Sequence, residues 1–384
     1  MSAIRYRRGQ AVFIREKRGK KMKKTVETGK TLLVNGSASV KVFSGRVEVF
    51  GCLIKENHQT IVREGKRQPF HVLETAEFHI SLGVNASVQE VETSTIPTSW
   101  TEAFQAVETI QNKPAVIMVM GKIDSGKSSF STHLVNKLVD GKIKVAIIDG
   151  DLEQADIGPP CTVAYGYTVR KITEIHEVKM SNAFFIGTVS PIQTINRTIE
   201  GLAAMQQEII QKAEADYVII NTDNCVESES AVNYKTQLVN QLKPDLIVGI
   251  QSQEELEPIL SNISTANTSI CYVESSVAVN GRVPEKHTRL RELSYAKYLK
   301  DAKVRSLNYM EIQDRNMLPM EAGKEKGILV GLQDLKKRFL GIGIMLEYNR
   351  ERRVMKVLTS VDSKISIVSV GRIKLDPELK ELPL

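Results

Sequence analysis

The chain has 384 residues, 42% of them apolar and 25% charged, an ordinary globular balance with room for two or three domains. No apolar run approaches the roughly 20 residues that span a bilayer, and the start MSAIRYRRGQ lacks the apolar stretch of a signal peptide, so a cytoplasmic chain without a membrane partner is expected. Four widely spaced cysteines without a CxxC pair argue against a zinc or disulfide framework and for buried or semi-buried thiols.

The formal charge of +7 is unevenly placed. Residues 1–24 hold Arg5, Arg7, Arg8, Arg15, Lys17, Arg18, Lys20, Lys21, Lys23 and Lys24 against Glu16, so this basic arm carries +9 and the other 360 residues −2. Such an arm either holds phosphates through counterion release or is a solvated tail. Residues 25–95 read as an N-terminal β domain of the sandwich kind. Within it Val40 and Val42 alternate with Lys41, Val47 and Val49 flank Glu48, and Ser44-Gly45 between them signals a two-residue hairpin. QTIVRE and AEFHISL are further strand-like runs, and STIPTSW marks a linker near 94–101. Trp100, after Pro97, is expected to pack at the domain junction.

From Pro114 the pattern changes. AVIMVM, KVAIIDGD, AFFIGTV, DYVIINTD and DLIVGI are apolar runs of the kind that parallel strands show when both faces are covered. Helix-like stretches, notably 192–214 and 228–242, separate most of them, which predicts a parallel α/β sheet with crossover helices over 101–301. Residues 284–300, PEKHTRLRELSYAKYLK, read as a basic helix. After 302, KGILVGLQD, FLGIGIMLEY, RVMKVLTSV and ISIVSVGRIKL predict a small β-rich C-terminal domain, 302–384.

Gly121, Lys122, Ile123, Asp124, Ser125, Gly126, Lys127 and Ser128 satisfy GxxxxGK[ST], followed by Ser129. The motif lies between a buried strand and a helix, where glycines let backbone N–H groups close around phosphates and the helix N-terminus faces the same anion. Lys127 is expected at the β- and γ-phosphates and the Ser128 hydroxyl on Mg²⁺. KVAIIDGD ends in Asp149 and Asp151, of which one can serve the metal and the other can accept the proton of an attacking hydroxyl. Either aspartate could instead only cap the following turn. Asp124 either faces the phosphates or makes a loop-internal hydrogen bond. The 284–300 helix offers Lys286, Arg289, Arg291 and Lys297 as a lid over the transferring group, or as a solvated basic face.

These segments together resemble the polynucleotide 5′-hydroxyl kinase family, whose eukaryotic members belong to mRNA 3′-end processing and tRNA splicing machinery and whose archaeal members are polyribonucleotide kinases. The resemblance covers about residues 25–380 and is closest to the archaeal members. VNGSASVKVFSGRVEVFG looks like the family's N-terminal β domain, GKIDSGKSS like its GxxDxGKS loop, DGDLEQADIGPP like its DxDxGQ…GPP segment, FFIGTVSP like its FxGxxSP strand end, and VGLQD…FLGIGIM…VGRIKL like its C-terminal domain. It implies ATP and Mg²⁺ as cofactors, 5′-hydroxyl ends of RNA or DNA as acceptors, and RNA-processing proteins as partners. By carry-over Asp151 activates the hydroxyl, while Lys127 with Arg289 or Arg291 stabilises the phosphoryl group in transfer. Two departures stand out: Glu153 replaces the glycine of DxDxGQ, and Thr222-Asp223-Asn224-Cys225 replaces the TxGW clasp. The missing aromatic removes a stacking platform worth about 1–3 kcal/mol per base, for which Tyr165, Tyr167 or Tyr234 are candidate substitutes.

Two alternatives remain open from sequence. One is an ATP-binding scaffold without turnover. The other is a regulatory ATPase in which Lys122 is a second lysine reaching across a dimer, although Ile123-Asp124 replace the Gly-Gly that follows it in that class.

Overall fold

The computed structural model describes the chain except residues 1–3, 8–9, 14–19, 140, 264–267, 280, 282–283, 314–323, 350 and 383–384, with backbone alone for 4–7, 10–13 and 284–285. The described chain forms two compact units, 1–95 and 96–384.

In the first unit β1 (Ile4–Arg7) and β2 (Gln10–Phe13) make a two-stranded ribbon. Of the expected basic arm, Arg8, Arg15, Lys17 and Arg18 lie outside the described residues, whereas Lys20, Lys21, Lys23 and Lys24 belong to β3 (Lys20–Val26). This strand joins β4 (Thr31–Asn35), β5 (Ala38–Val49), β6 (Cys52–Ile54), β7 (Gln59–Val62), β8 (Arg67–Leu82) and β9 (Ser87–Val91) in one antiparallel sheet. Strand β8 pairs with β4 through Arg67–His71 and with β3 through Ala76–Leu82, while β5 lies along its other side. Alternation along these strands sends Val40, Val42, Phe78 and Ile80 into the core.

No hairpin forms at Ser44-Gly45. Strand β5 passes through with register shifts against β8. Gly45 sits at φ +89°, and a Cβ there would lie 2.3 Å from the Thr75 carbonyl oxygen, so the glycine serves a bulge and a close backbone approach. The turn comes at Phe50-Gly51, φ 50° and 84°, where two left-handed residues link β5 to β6.

The second unit opens with α1 (Thr98–Glu108). Its Trp100 is fully buried, edge-on to Phe130 at 5.3 Å between ring centres, and its indole N–H donates to the Glu274 carbonyl. Strands β10 (Ala115–Gly121), β11 (Val145–Asp149), β12 (Thr162–Thr168), β13 (Met180–Phe185), β14 (Tyr217–Asn221), β15 (Leu246–Ile250) and β16 (Ser269–Val273) form one sheet in the order β13-β12-β11-β14-β10-β15-β16. Helices α2 (Lys127–Leu138), α3 (Ile195–Lys212), α4 (Glu229–Leu242), α5 (Glu257–Leu260) and α6 (Pro284–Tyr298) complete this part.

The sheet is mixed rather than all parallel. Strand β12 pairs antiparallel with both β11 and β13, so AFFIGTV, expected as a parallel strand, supplies an antiparallel edge. A parallel return needs a crossover of a dozen or more residues, usually helical. Between β12 and β13 there is only the short 3-10 turn Ile175–Glu177, and the chain doubles back.

The C-terminal region forms a second sheet from β17 (Lys303–Asn308), β18 (Glu311–Gln313), β19 (Ile328–Gln333), β20 (Phe339–Asn349), β21 (Val354–Thr359), β22 (Ile367–Leu375) and β23 (Glu381–Leu382). The four strands legible in sequence are β19 to β22, and they surround a core of Val330, Leu332, Met345, Met355, Val357 and Val368.

Candidate functional site

Strand β10 runs straight into the glycine loop, and α2 begins at Lys127. Gly126 at φ +99° and Asp124 at φ 54° turn the loop sharply, which brings the backbone around the helix start. The first amides of α2 have no acceptor within the helix, so they and the helix dipole face an incoming anion. Ser125 Oγ is buried with no hydrogen-bond partner among the described residues. Ser128 and Ser129 are half-buried in the first helical turn, and Ile123 is 44% exposed at the loop tip. Lys122 Nζ lies 3.3 Å from Glu255 Oε1, so it is engaged within its own chain.

Lys127 is only 5% exposed. Its Nζ donates to the carbonyls of Gly121 and Lys122, both at 2.9 Å, and to Asn224 Oδ1 at 2.5 Å. Burial lowers its pKa to about 8, against the pull of Asp151.

Asp149 and Asp151 stand at the end of β11, both buried. Asp149 Oδ2 accepts from the backbone N–H groups of Asp156 at 2.6 Å and Ile157 at 3.0 Å, while its Oδ1 has longer contacts, 3.4 Å to Asp151 N and 3.4 Å to Asn221 Nδ2. Burial, then the neighbouring Asp156 and Asp151, push its pKa up to about 7. Asp151 Oδ1 accepts from the backbone of Glu153 and Gln154, and its Oδ2 accepts from Asn224 Nδ2 at 3.2 Å. Burial raises its pKa, with Lys127 opposing.

Asn224 is therefore the link that sequence reasoning missed: one amide accepts from Lys127 and donates to Asp151. No motif marks it. The sheet order shows its role, because β14 lies between β10 and β11 with Asn221 opposite both Val119 and Asp149. The segment is held from behind. Thr222 Oγ1 donates to the Val119 carbonyl, and Asp223 Oδ2 accepts from the Tyr234 hydroxyl at 2.7 Å and pairs with Lys235 at 3.0 Å, all deep in the core. Tyr165 and Tyr234 are fully buried, and the half-buried Tyr167 ring carries Lys144 Nζ 4.3 Å from its centre and Tyr165 edge-on, so none of the three replaces the absent aromatic as a free stacking face.

Helix α6 is tied to this centre through Arg291, Tyr295 and Tyr298. Arg291, 8% exposed, makes a two-pronged bond to Glu381 at 2.8 and 2.7 Å and reaches Glu153 Oε1 at 2.8 Å. Tyr295 donates to Glu381, and Tyr298 donates to the Ile157 carbonyl. Arg291 is thus engaged by carboxylates, Arg289 is exposed, and Glu153, the departure from the glycine pattern, finds its role as a partner of Arg291. His287 is 2% exposed, with Nε2 3.9 Å from Asp124 Oδ2 and neither ring nitrogen hydrogen-bonded among the described residues. Sequence gave no sign of His287 or of Glu381, since both meet the site through tertiary packing.

Residues 121–301 match the family model of the mRNA cleavage and polyadenylation factor CLP1 P-loop. The chain is 24% identical over 349 residues to the polyribonucleotide 5′-hydroxyl-kinase of Methanocaldococcus jannaschii, covering 76% of this chain and 95% of that protein. It is 32% identical over 198 residues to the polyribonucleotide 5′-hydroxyl-kinase of Pyrococcus furiosus, covering 51% of this chain and 54% of that one. Among solved structures, Clp1p in the wild-type Clp1p–Pcf11p complex superposes with a TM-score of 0.71 at 14% identity, over 93% of this chain and 99% of that one. No helix among the described residues is long and apolar enough to cross a membrane.

Proposed function

The chain belongs to the polynucleotide 5′-hydroxyl kinase family that includes the CLP1 P-loop, and from that premise we propose that it transfers the γ-phosphoryl group of ATP to the 5′-hydroxyl end of RNA, with DNA as an alternative acceptor. The observation that carries this is the hydrogen-bonded chain Lys127–Asn224–Asp151 at a helix N-terminus, whose two charged members are buried. It sets a phosphate-binding cation and a proton acceptor on either side of one amide.

In the reaction the 5′-oxygen attacks the γ-phosphorus in line, its bond forms as the bond to the β–γ bridging oxygen breaks, and ADP leaves. The hydroxyl proton passes to Asp151 Oδ2. Burial makes that carboxylate a stronger base than one in water, and two backbone N–H groups fix its other oxygen. Asn224 Nδ2 holds the carboxylate in place. Lys127 exchanges one of its internal acceptors for a γ-phosphate oxygen and balances the charge that spreads over the group in transfer. Mg²⁺ fits the hard oxygen donors here: Ser128 and Asp149, whose Oδ1 has only long contacts, would hold it, and it would neutralise phosphate charge. Arg289, exposed on α6, is the lid cation toward the phosphates, and Arg291 anchors that helix to Glu153 beside Asp151. A protein partner within an RNA-processing assembly completes the proposal, in keeping with the Clp1p–Pcf11p complex.

The second reading, an ATP-binding scaffold, draws on the absence of an exposed aromatic at Thr222–Cys225. Incubation with γ-labelled ATP, Mg²⁺ and 5′-hydroxyl RNA or DNA separates the two. Label on the 5′ end supports the kinase, whereas tight ATP binding without transfer supports the scaffold. Asp151→Asn should lower transfer by about a thousandfold or more while ATP binding persists, and full activity in that variant removes Asp151 as the base.

A further inference from the structure

The exposed face of the N-terminal sheet carries a pattern that the phosphate site does not use. Across β3, β8, β5 and β7 the register aligns Lys23, His79, Lys41 and Gln59 in one row, and Lys21, Ser81, Ser39 and Ile61 in the next. Residues in one row share a face. The intervening rows, Met22–Ile80–Val40 and Lys24–Phe78–Val42, point the other way, with the β8 and β5 members buried. Three lysines therefore stand on one side of the sheet. Lys21 and Lys23 are roughly 7 Å apart along β3, and Lys41 is two strands, roughly 10 Å, away.

An aromatic pair sits beside them. Phe43 stacks on His79 with ring centres 4.7 Å apart and planes 7° from parallel. Glu77 Oε1 lies 2.8 Å from His79 Nε2, which fixes the imidazole, and Phe43 remains 45% exposed. A trough of about 430 Å³ runs along this face, lined by Lys21, Lys23, Lys41, Gln59 and His79. Glu77 is the carboxylate near the lysines. It lies 3.6 Å from Lys23, whose side chain is 72% exposed, so this pair is solvated and easily exchanged for a phosphate.

We propose that this face is a single-stranded RNA-binding surface, with Lys21, Lys23 and Lys41 on the phosphates and Phe43 as a stacking platform for a base. The assignment rests on RNA as the kinase's substrate class and adds a second contact surface for it. Charge complementarity names a polyanion as the occupant. Arg5, Arg7, Arg8, Arg15, Lys17 and Arg18, earlier in the chain, carry the same sign as the face and supply it no complementary charge. An exposed aromatic beside lysines suits unstacked bases, which single strands offer and duplexes do not. An acidic peptide would use the lysines but gain little from the ring.

The test measures equilibrium binding of the full chain to a 5′-phosphorylated single-stranded RNA, which cannot accept a phosphoryl group, alongside a duplex of equal length and an acidic peptide. Replacing Lys21, Lys23 and Lys41 together by Ala should weaken single-strand binding at least tenfold and reduce the slope of log affinity against log salt by about 2, from about 0.7 per lost phosphate contact. Phe43→Ala should weaken it roughly tenfold with the salt slope unchanged. In both variants transfer from ATP at saturating RNA keeps its kcat and the KM for RNA rises. Unchanged affinity and slope in the triple variant overturn the proposal, as does a loss that is equal for duplex or acidic peptide with Phe43→Ala silent. Failure of the kinase reading would appear separately, as absence of label transfer by the unmodified chain.

Discussion

Asn224→Ala separates the two halves of the proposed site. The substitution removes an acceptor 2.5 Å from Lys127 Nζ and a donor 3.2 Å from Asp151 Oδ2, both in a region where the charged groups are less than a tenth exposed. A hydrogen bond to a charged group contributes about 1.5–3 kcal/mol, and losing it here leaves Asp151 with backbone donors on Oδ1 alone. Lys127 keeps the two carbonyls of Gly121 and Lys122 and becomes freer to meet a phosphate. The effects therefore diverge. Affinity for ATP should stay within about threefold of the unmodified chain or tighten, and kcat should fall by about 10–150-fold, the same 1.5–3 kcal/mol expressed as a rate. Single-turnover transfer of label to a 5′-hydroxyl oligonucleotide gives the rate, and calorimetry with a non-hydrolysable ATP analogue gives the affinity. If rate and affinity fall together by similar factors, Asn224 acts on nucleotide binding rather than on Asp151. An unchanged rate shows that the amide bridge has no part in transfer.

Other perturbations test the scaffold beneath the site. Lys235→Met leaves Asp223, 3% exposed, without its cation and should cost about 3–5 kcal/mol, read as a lower urea midpoint. A shift under 1 kcal/mol would show that the Tyr234 hydroxyl and the Cys225 N–H satisfy the carboxylate without the lysine. Gly45→Ala, with a left-handed backbone and a Cβ 2.3 Å from a carbonyl oxygen, should destabilise the N-terminal unit by about 3 kcal/mol without altering ATP affinity. Circular dichroism melts beside the same calorimetry check both parts.

The glycine loop was legible in sequence because its function is local. Eight consecutive residues between a strand and a helix contain all the geometry that an anion site needs. Asp149 and Asp151 were legible for a related reason, since a carboxylate at the tip of a buried strand has one natural place to point. The four long C-terminal strands announced themselves by apolar patterning. Patterning failed at AFFIGTV, because an apolar run looks the same in a parallel and an antiparallel strand, and the pairing with β12 decides between them. It failed again at Ser44-Gly45, where the glycine answers to the Thr75 carbonyl on another strand rather than to its neighbours in sequence.

By itself, then, the sequence determined a glycine loop of the phosphate-binding pattern at Gly121–Ser129, two aspartates at the end of the next buried strand, and a basic surplus near the start. Only the tertiary structure decided how those parts meet. Asn224 lies 97 residues from Lys127 and 73 from Asp151, and β14 inserts it between them. Arg291, expected over the phosphates, is instead claimed by Glu381, 90 residues away, and by Glu153, 138 residues away. Four lysines expected in a basic arm became a β-strand, three of whose neighbours across the sheet are His79, Ser81 and Phe78. The physical reason is common to all of these. Backbone geometry is set by near neighbours, whereas the partner of a buried charge is set by which strand the sheet lays beside it, and that order is not written in any one segment.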